Sequence, residues 1–319
     1  MKNFPRGLAA ATAALIAVSL PAVPAFAEEL TPPEGSTPVV GMAVEPGSSA
    51  VWLAGPKADA GVFVNAESGE EWSFSGDPVS IQALAWSEGR LYAGDLGDPA
   101  GERDHVVVFR LGEPDNGRST YHAFDFRYED GARDAQAMLI SGRGNIYIVS
   151  TGEDPGIYRA PKSPSRESMN KLTRVADAPE GVTDAVFLTD GSTMALRTAK
   201  GVEYIDAFTW ETLVTDTIVG APEGESITAD QDDELLIGGN PTLRTAQVPA
   251  SDTTTTVTPE PAASPSPTAQ ASAQPSAAPE AESPEAKPSG PDRSGTWLAL
   301  GLAGALAIVA GAVTFLVRK

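Results

Sequence analysis

Between residues 28 and 250 the apolar positions fall in short alternating runs, broken every few residues by Gly, Asp, Asn or Pro. Period-two alternation puts every second side chain on one face of a strand, so the pattern predicts an all-β chain with almost no helix. One phrase keeps returning. It reads VVGMAVEPGSSAVWLAG from Val39, SIQALAWSEGRLYAGD from Ser80, DAQAMLISGRGNIYIVS from Asp134, VTDAVFLTDGSTMALRT from Val182 and EGESITADQDDELLIGG from Glu223. Each copy is a strand, a tight turn and a second strand. AGVFVNAE, HVVVFRLG, PGIYRAPK, KGVEYIDA and TLRTAQVP supply a third strand. All copies but the last add a fourth, in EEWSFSG, TYHAFDFRY, KLTRVADA and ETLVTDTIV.

The residues opening the first strands, Gly41, Gln82, Gln136, Asp184 and Glu225, are separated by 41, 54, 48 and 41 positions. Four-stranded propeller blades recur at about 40–50 residues. The predicted architecture is a β-propeller of five blades, or six with one irregular. A two-sheet sandwich does not explain the returning phrase. The last blade lacks a fourth strand, so LTPPEGSTP near the N-terminus, or the segment after it, is expected to close the ring. Its prolines make it a weak strand.

The ends carry different patterns. Lys2 and Arg6 precede a small, apolar stretch that ends in Ala25-Phe26-Ala27, so residues 1–27 read as a secretory signal peptide cleaved after Ala27. Residues 28–250 form the propeller domain. Residues 251–292 hold nine prolines, no aromatic residue and one large aliphatic, Val257, and cannot bury enough apolar surface to order themselves. They are expected to be a disordered stalk. The segment 293–319 contains an uncharged run, 296–317, of a length that spans a bilayer as a helix, with Trp297 at one edge and Arg318 and Lys319 beyond the other. It is expected to be a single transmembrane helix, with the propeller outside the cell, the C-terminus in the cytoplasm, and the lipid bilayer as one partner. The helix has no GxxxG face, so a monomer is expected.

Composition narrows the chemistry. The chain has no cysteine, which excludes thiol catalysis and cysteine-held metals, and an exported domain of this size needs no disulfide. The formal net charge is −21, and within 28–250 acids outnumber bases 37 to 16. Such a surface repels nucleic acid and suits cations or neutral glycans. Two histidines, His105 and His122, have no metal-spaced partner, and no G-x-S-x-G elbow occurs.

First strands line a propeller's channel, so the residues that open them can face a common axis. Gln82, Gln136, Asp184 and Glu225 are therefore channel candidates, with Asp134 two residues before Gln136 on the same strand face. Oxygen ligands of this kind suit Ca²⁺, and Asp134, Asp184 and Glu225 are the candidate metal ligands. The alternative is that these polar ends bond to neighbouring blades and water. Asp95 and Asp98, in GDLGD after a second strand, either join a ligand site or cap backbone amides. Arg133 and Arg197 either bind an anion or pair with nearby acids.

The phrases LYAGDLGD, DGARDAQAM, GVTDAVFLTDGSTMALRT and EGESI together resemble a group of actinobacterial exported propeller proteins with a C-terminal membrane anchor, over roughly residues 80–240. That group has a DIGDN-like loop and HDAEAL-, TDGAF- and GEAI-like strands, mostly has no assigned activity, and is distantly similar to calcium-dependent lactonase and phytase-like propellers. This chain departs from the pattern at Pro99, in place of Asn, at Arg133, in place of His, and at Gln82 and Gln136, in place of acids. An amide brings no charge and is no general base. The expectation is a surface-displayed binding or scaffold module with an envelope protein or glycan partner. The alternative is a Ca²⁺-dependent lactonase, esterase or phosphohydrolase.

Overall fold

The strands β1 to β22 of the computed structural model, which describes residues 29–257, run as successive antiparallel meanders. After β1 (Glu29–Leu30) come β2 (Gly41–Val44), β3 (Val51–Ala54), β4 (Val62–Asn65) and β5 (Glu71–Phe74). The second meander is β6 (Ile81–Ser87), β7 (Arg90–Asp95), β8 (Val106–Leu111) and, after the short β9 (Arg118–Ser119), β10 (Tyr121–Tyr128). The third is β11 (Ala135–Ile140), β12 (Ile146–Ser150), β13 (Gly156–Arg159) and β14 (Asn170–Asp177). The fourth is β15 (Val182–Phe187), β16 (Thr193–Thr198), β17 (Gly201–Asp206) and β18 (Thr212–Val219). The last is β19 (Ser226–Ala229), β20 (Glu234–Gly238) and β21 (Leu243–Gln247), and β22 (Thr253–Thr256) follows.

The first strands pack in a ring. β2 lies against β6, β6 against β11, β11 against β15, β15 against β19, and β19 against β2 again. The chain is all-β and propeller-like. β1 pairs antiparallel with β21, so an N-terminal segment supplies the missing outer strand of the last meander. Only two residues take part, and they precede the prolines. Among the described residues the single helical turn is the 3₁₀ turn Ala58–Ala60.

Turn chemistry explains why hairpins repeat. The β6–β7 connection is Glu88-Gly89 with φ of 50° and 70°, the pair of left-handed residues that a two-residue hairpin needs. Arg90 follows directly as the first residue of β7. Elsewhere acids make the turns. Asp190 accepts the amides of Ser192 and Thr193, Asp206 those of Phe208 and Thr209, and Asp230 those of Asp232 and Glu234. Part of the acidity is therefore hairpin chemistry.

Apolar clusters fill the joints between consecutive meanders. Trp52, Phe63, Trp72 and Phe74 of the first meet Leu84, Leu91 and Phe109 of the second. Similar clusters lie at the next three joints. The closing joint, between last and first, is the thinnest: Val39, Met42, Leu53, Ala66 and Leu243. Gly41 shows how tightly the inner strands approach, since a Cβ there would stand 2.7 Å from Ala83 Cα.

Outer edges are joined by parallel pairing that the repeat did not reveal. β9 pairs with β5, β10 with β14, and β22 with β18. Thr253–Thr256 falls within the expected stalk, so the ordered chain extends past residue 250. The signal-like segment 1–27, most of the stalk and the apolar run 296–317 lie outside the described residues. Among the described residues no helix is long and apolar enough to cross a membrane.

Candidate functional site at the two mouths of the ring

The first strands begin together at one end of the ring and finish together at the other, and the two mouths differ in chemistry. All the candidate residues from the sequence lie at the first mouth. A bulge shifts their expected register. Pairing along β6 jumps between Ile81 and Ala83, along β11 between Ala135 and Ala137, and along β15 between Val182 and Asp184. Gln82, Gln136 and Thr183 are therefore equivalent, and Asp184 is the counterpart of Ala83 and Ala137. Like those two alanines, Asp184 is wholly buried. It is not in line with Gln82 and Gln136, because the bulge adds a residue without changing the apolar alternation.

Asp184 ties two strands together beside a third. Its carboxylate accepts the amides of Ala185 (2.8 Å) and of Ile227 (3.1 Å) on β19. The Met42 amide of β2 and the Ser226 side chain lie near enough to pull its pKa down. Burial pushes its pKa well above the usual carboxylate range, and these hydrogen bonds oppose the shift only in part. Asp184 thus fastens the fourth meander to the last beside the closing joint, where Ser226 Oγ donates to Val39 O and Val39 N to Gly239 O.

Glu225 is claimed by two arginines. Arg197 Nη2 lies 2.6 Å from Glu225 Oε2 with both side chains buried, and Arg244 donates to both carboxylate oxygens. Burial raises the Glu225 pKa, but hydrogen bonds from Arg244 and Arg197 outweigh it, and the carboxyl lies below its usual range. Arg197 Nη1 donates to the carbonyls of Thr198 and Gly201. Of the two roles open to Arg197, pairing is the one on view.

Asp95, Asp98 and Asp134 form a chain across the second joint. Asp95 accepts the amides of Val79 and Ser80 and an Arg103 hydrogen at 2.8 Å. Asp98 accepts the amides of Glu102 and Arg103, and its own amide donates to Asp134 Oδ1 at 2.7 Å. Gln82 donates to Ser80 Oγ, and Gly97 passes so near that a Cβ would meet that oxygen. Asp59 does the same work one joint earlier, accepting the Ile81 amide. Arg133 pairs with Asp130 and lies near Asp154. Among the described residues no three His, Asp or Glu side chains gather in a manner that would hold a metal ion. Asp134, Asp184 and Glu225 are not brought together as a calcium centre; each is occupied by amides or guanidinium groups.

The second mouth was not picked out from the sequence. There the ends of β2, β6, β11, β15 and β19 enclose a cavity of about 320 Å³. Met42, Trp86, Met138, Ile140, Val186 and Leu188 line it, with Thr228 and Asp230 among its few polar groups. A signal was available: four of the five first strands carry two apolar residues at the same relative place in the repeat, Ala43-Val44, Leu84-Ala85, Met138-Leu139 and Val186-Phe187.

No protein-family model matches the chain, and no curated protein matches it by sequence. Among solved structures, a gluconolactonase of Xanthomonas campestris is 16% identical, over 70% of this chain and 90% of that one, with a TM-score of 0.44. A streptogramin B lyase is 12% identical, over 70% and 74%, with a TM-score of 0.41. Virginiamycin B lyase of Staphylococcus aureus is 13% identical, over 70% and 74%, with a TM-score of 0.39. At this identity and overlap the named activities are those proteins' own.

Proposed function

We propose that this chain is a five-bladed propeller that binds a small, largely apolar ligand in the axial cavity, and that it is displayed on the cell envelope by its C-terminal helix and stalk. The observation that carries the reading is the cavity itself. An apolar hollow of about 300–1,000 Å³ with a few polar groups at its edge is the usual form of a small-ligand site. The polar mouth has its acids committed to holding the ring together, which leaves little for catalysis. Export and anchoring belong to the same proposal and rest on the signal-like segment 1–27 and the apolar run 296–317, and actinobacterial origin rests on the sequence resemblance.

A propeller hydrolase, the calcium-dependent alternative, keeps one observation in its favour. Asp95, Asp98 and Asp134 stand in one hydrogen-bonded chain beside Arg103 at the polar mouth. A gluconolactonase and two lyases are among the structures that resemble this one in outline. That reading requires the carboxylates to leave their amide partners when metal binds.

Methionine methyl resonances test the cavity. The chain has five methionines. Met42 and Met138 line the hollow, whereas Met169 is exposed and Met194 is buried at another joint. Titration with small aromatic alcohols, short-chain esters and lactones is expected to shift Met42 and Met138 and leave Met169 and Met194 in place. Uniform shifts, or none at the two lining methyls, would remove the proposal.

A further inference from the structure

A second cavity, of about 450 Å³, lies on the second meander and shares no residue with the axial one. Arg90, Tyr92, Arg110, Tyr121 and His122 line it, together with the carboxylates Glu88 and Glu113. Its lining balances two arginines against two glutamates, whereas the molecule as a whole carries a net charge of −21. Arg110 is half-buried, yet among the described residues it forms no ion pair with any carboxylate. Its partners are the Phe124 ring, 5.7 Å away, and His122 Nδ1, 2.7 Å from Nη2. A guanidinium can only donate, so Nδ1 accepts and the proton of the neutral ring sits on Nε2. The imidazole is thereby left with a free N–H donor. Burial, and then Arg166, Arg110 and Arg90, hold its pKa below the ordinary histidine value. Arg90 has only a loose, exposed contact with Glu113 at 3.3 Å, of the kind that contributes little and is readily exchanged.

A cation unneutralised in a domain with more than twice as many acids as bases needs an account. Planar guanidinium forks and a neutral imidazole N–H are donors matched to the oxygens of a doubly charged tetrahedral anion. We propose that the cavity over Arg110 and His122 binds the phosphate group of a small phosphate monoester. Arg110 and the His122 N–H hold the phosphate oxygens. Arg90 leaves Glu113 to complete the set, and Tyr92 and Tyr121 flank the organic part.

The two histidines make the test direct, because His105 lies outside this cavity and serves as an internal reference. Inorganic phosphate is titrated into the full chain at constant ionic strength, with chloride as the balancing anion, while the histidine ring resonances are followed. His122 is expected to shift to saturation while His105 stays in place. Loss of one charge-assisted fork in Arg110→Gln is expected to weaken binding about tenfold or more, and Arg90→Gln about threefold. Acetate, a single charge, is expected to bind at least about tenfold more weakly than phosphate. Unsaturable or parallel shifts of both histidines, an equal response to acetate, or phosphate affinity unchanged in Arg110→Gln would each overturn the proposal. If Arg110→Gln does not fold, unchanged affinity in Arg90→Gln overturns it equally.

Discussion

Replacing Glu225 by alanine is expected to destabilise the protein by about 3–5 kcal/mol, because it strands a buried arginine. The side chains of Arg197 and Glu225 are 3% and 1% exposed. With the carboxylate gone, Arg197 keeps only the carbonyls of Thr198 and Gly201 and has no counter-charge. For a domain of about this size that is a fall of roughly 10 °C in melting temperature. Glu225→Gln keeps an acceptor oxygen and loses the charge, so its cost is expected to be about half. Thermal melting by circular dichroism measures both. A fall of less than about 1 kcal/mol in Glu225→Ala would show that this ion pair does not hold the fourth and last meanders together.

Asp184→Ala is expected to be comparably damaging, by about 4 kcal/mol, for a different reason. It leaves the amides of Ala185 and Ile227 without their acceptor, and each orphaned buried donor costs about 1–3 kcal/mol. The site matters because the closing joint beside it has the thinnest apolar cluster, so polar ties carry more of the ring's closure there than elsewhere. Asp184→Asn isolates the charge. Burial makes the folded-state pKa of Asp184 higher than that of the unfolded chain, so the folded protein holds the proton more tightly. Its contribution to stability therefore declines as pH rises from about 4, the ordinary carboxyl value, towards the raised one. The asparagine variant has no such slope. The gap in melting temperature between the native chain and Asp184→Asn should be widest in acid and should narrow as pH rises. Glu225 works in the opposite sense: its lowered pKa supplies stability above about 4.5 that is lost in acid. The comparison must therefore be made between variants at each pH, not on the native curve alone.

The repeat could be read because a meander leaves its alternation in the sequence, and Ile81–Ser87 with Arg90–Asp95 shows it plainly. Three features left no such trace. A bulge at Gln82, Gln136 and Thr183 moves the register by one residue without altering composition, which is why Asp184 looked like their equivalent. The partners of Asp59, Asp95, Asp98 and Asp134 are backbone amides, which have no letter in the sequence. Parallel pairing of β10 with β14 and of β22 with β18 joins segments whose side chains read as ordinary outer strands. The axial cavity is hidden in the sequence for a related reason: Met42, Trp86 and Met138 have the character of core residues, and only the circular arrangement of the strands exposes their far ends to a common space.

The most direct measurement is thermal melting of the full chain in millimolar calcium, against magnesium at equal ionic strength and against chelator. A metal that bound the folded state would raise the melting temperature by mass action. If the polar-mouth carboxylates are structural ties, calcium and magnesium should give the same curve, and chelator should change nothing. A calcium-specific rise that Asp134→Ala abolishes would contradict this, and would place a metal site, and with it the hydrolase, at the mouth of the ring.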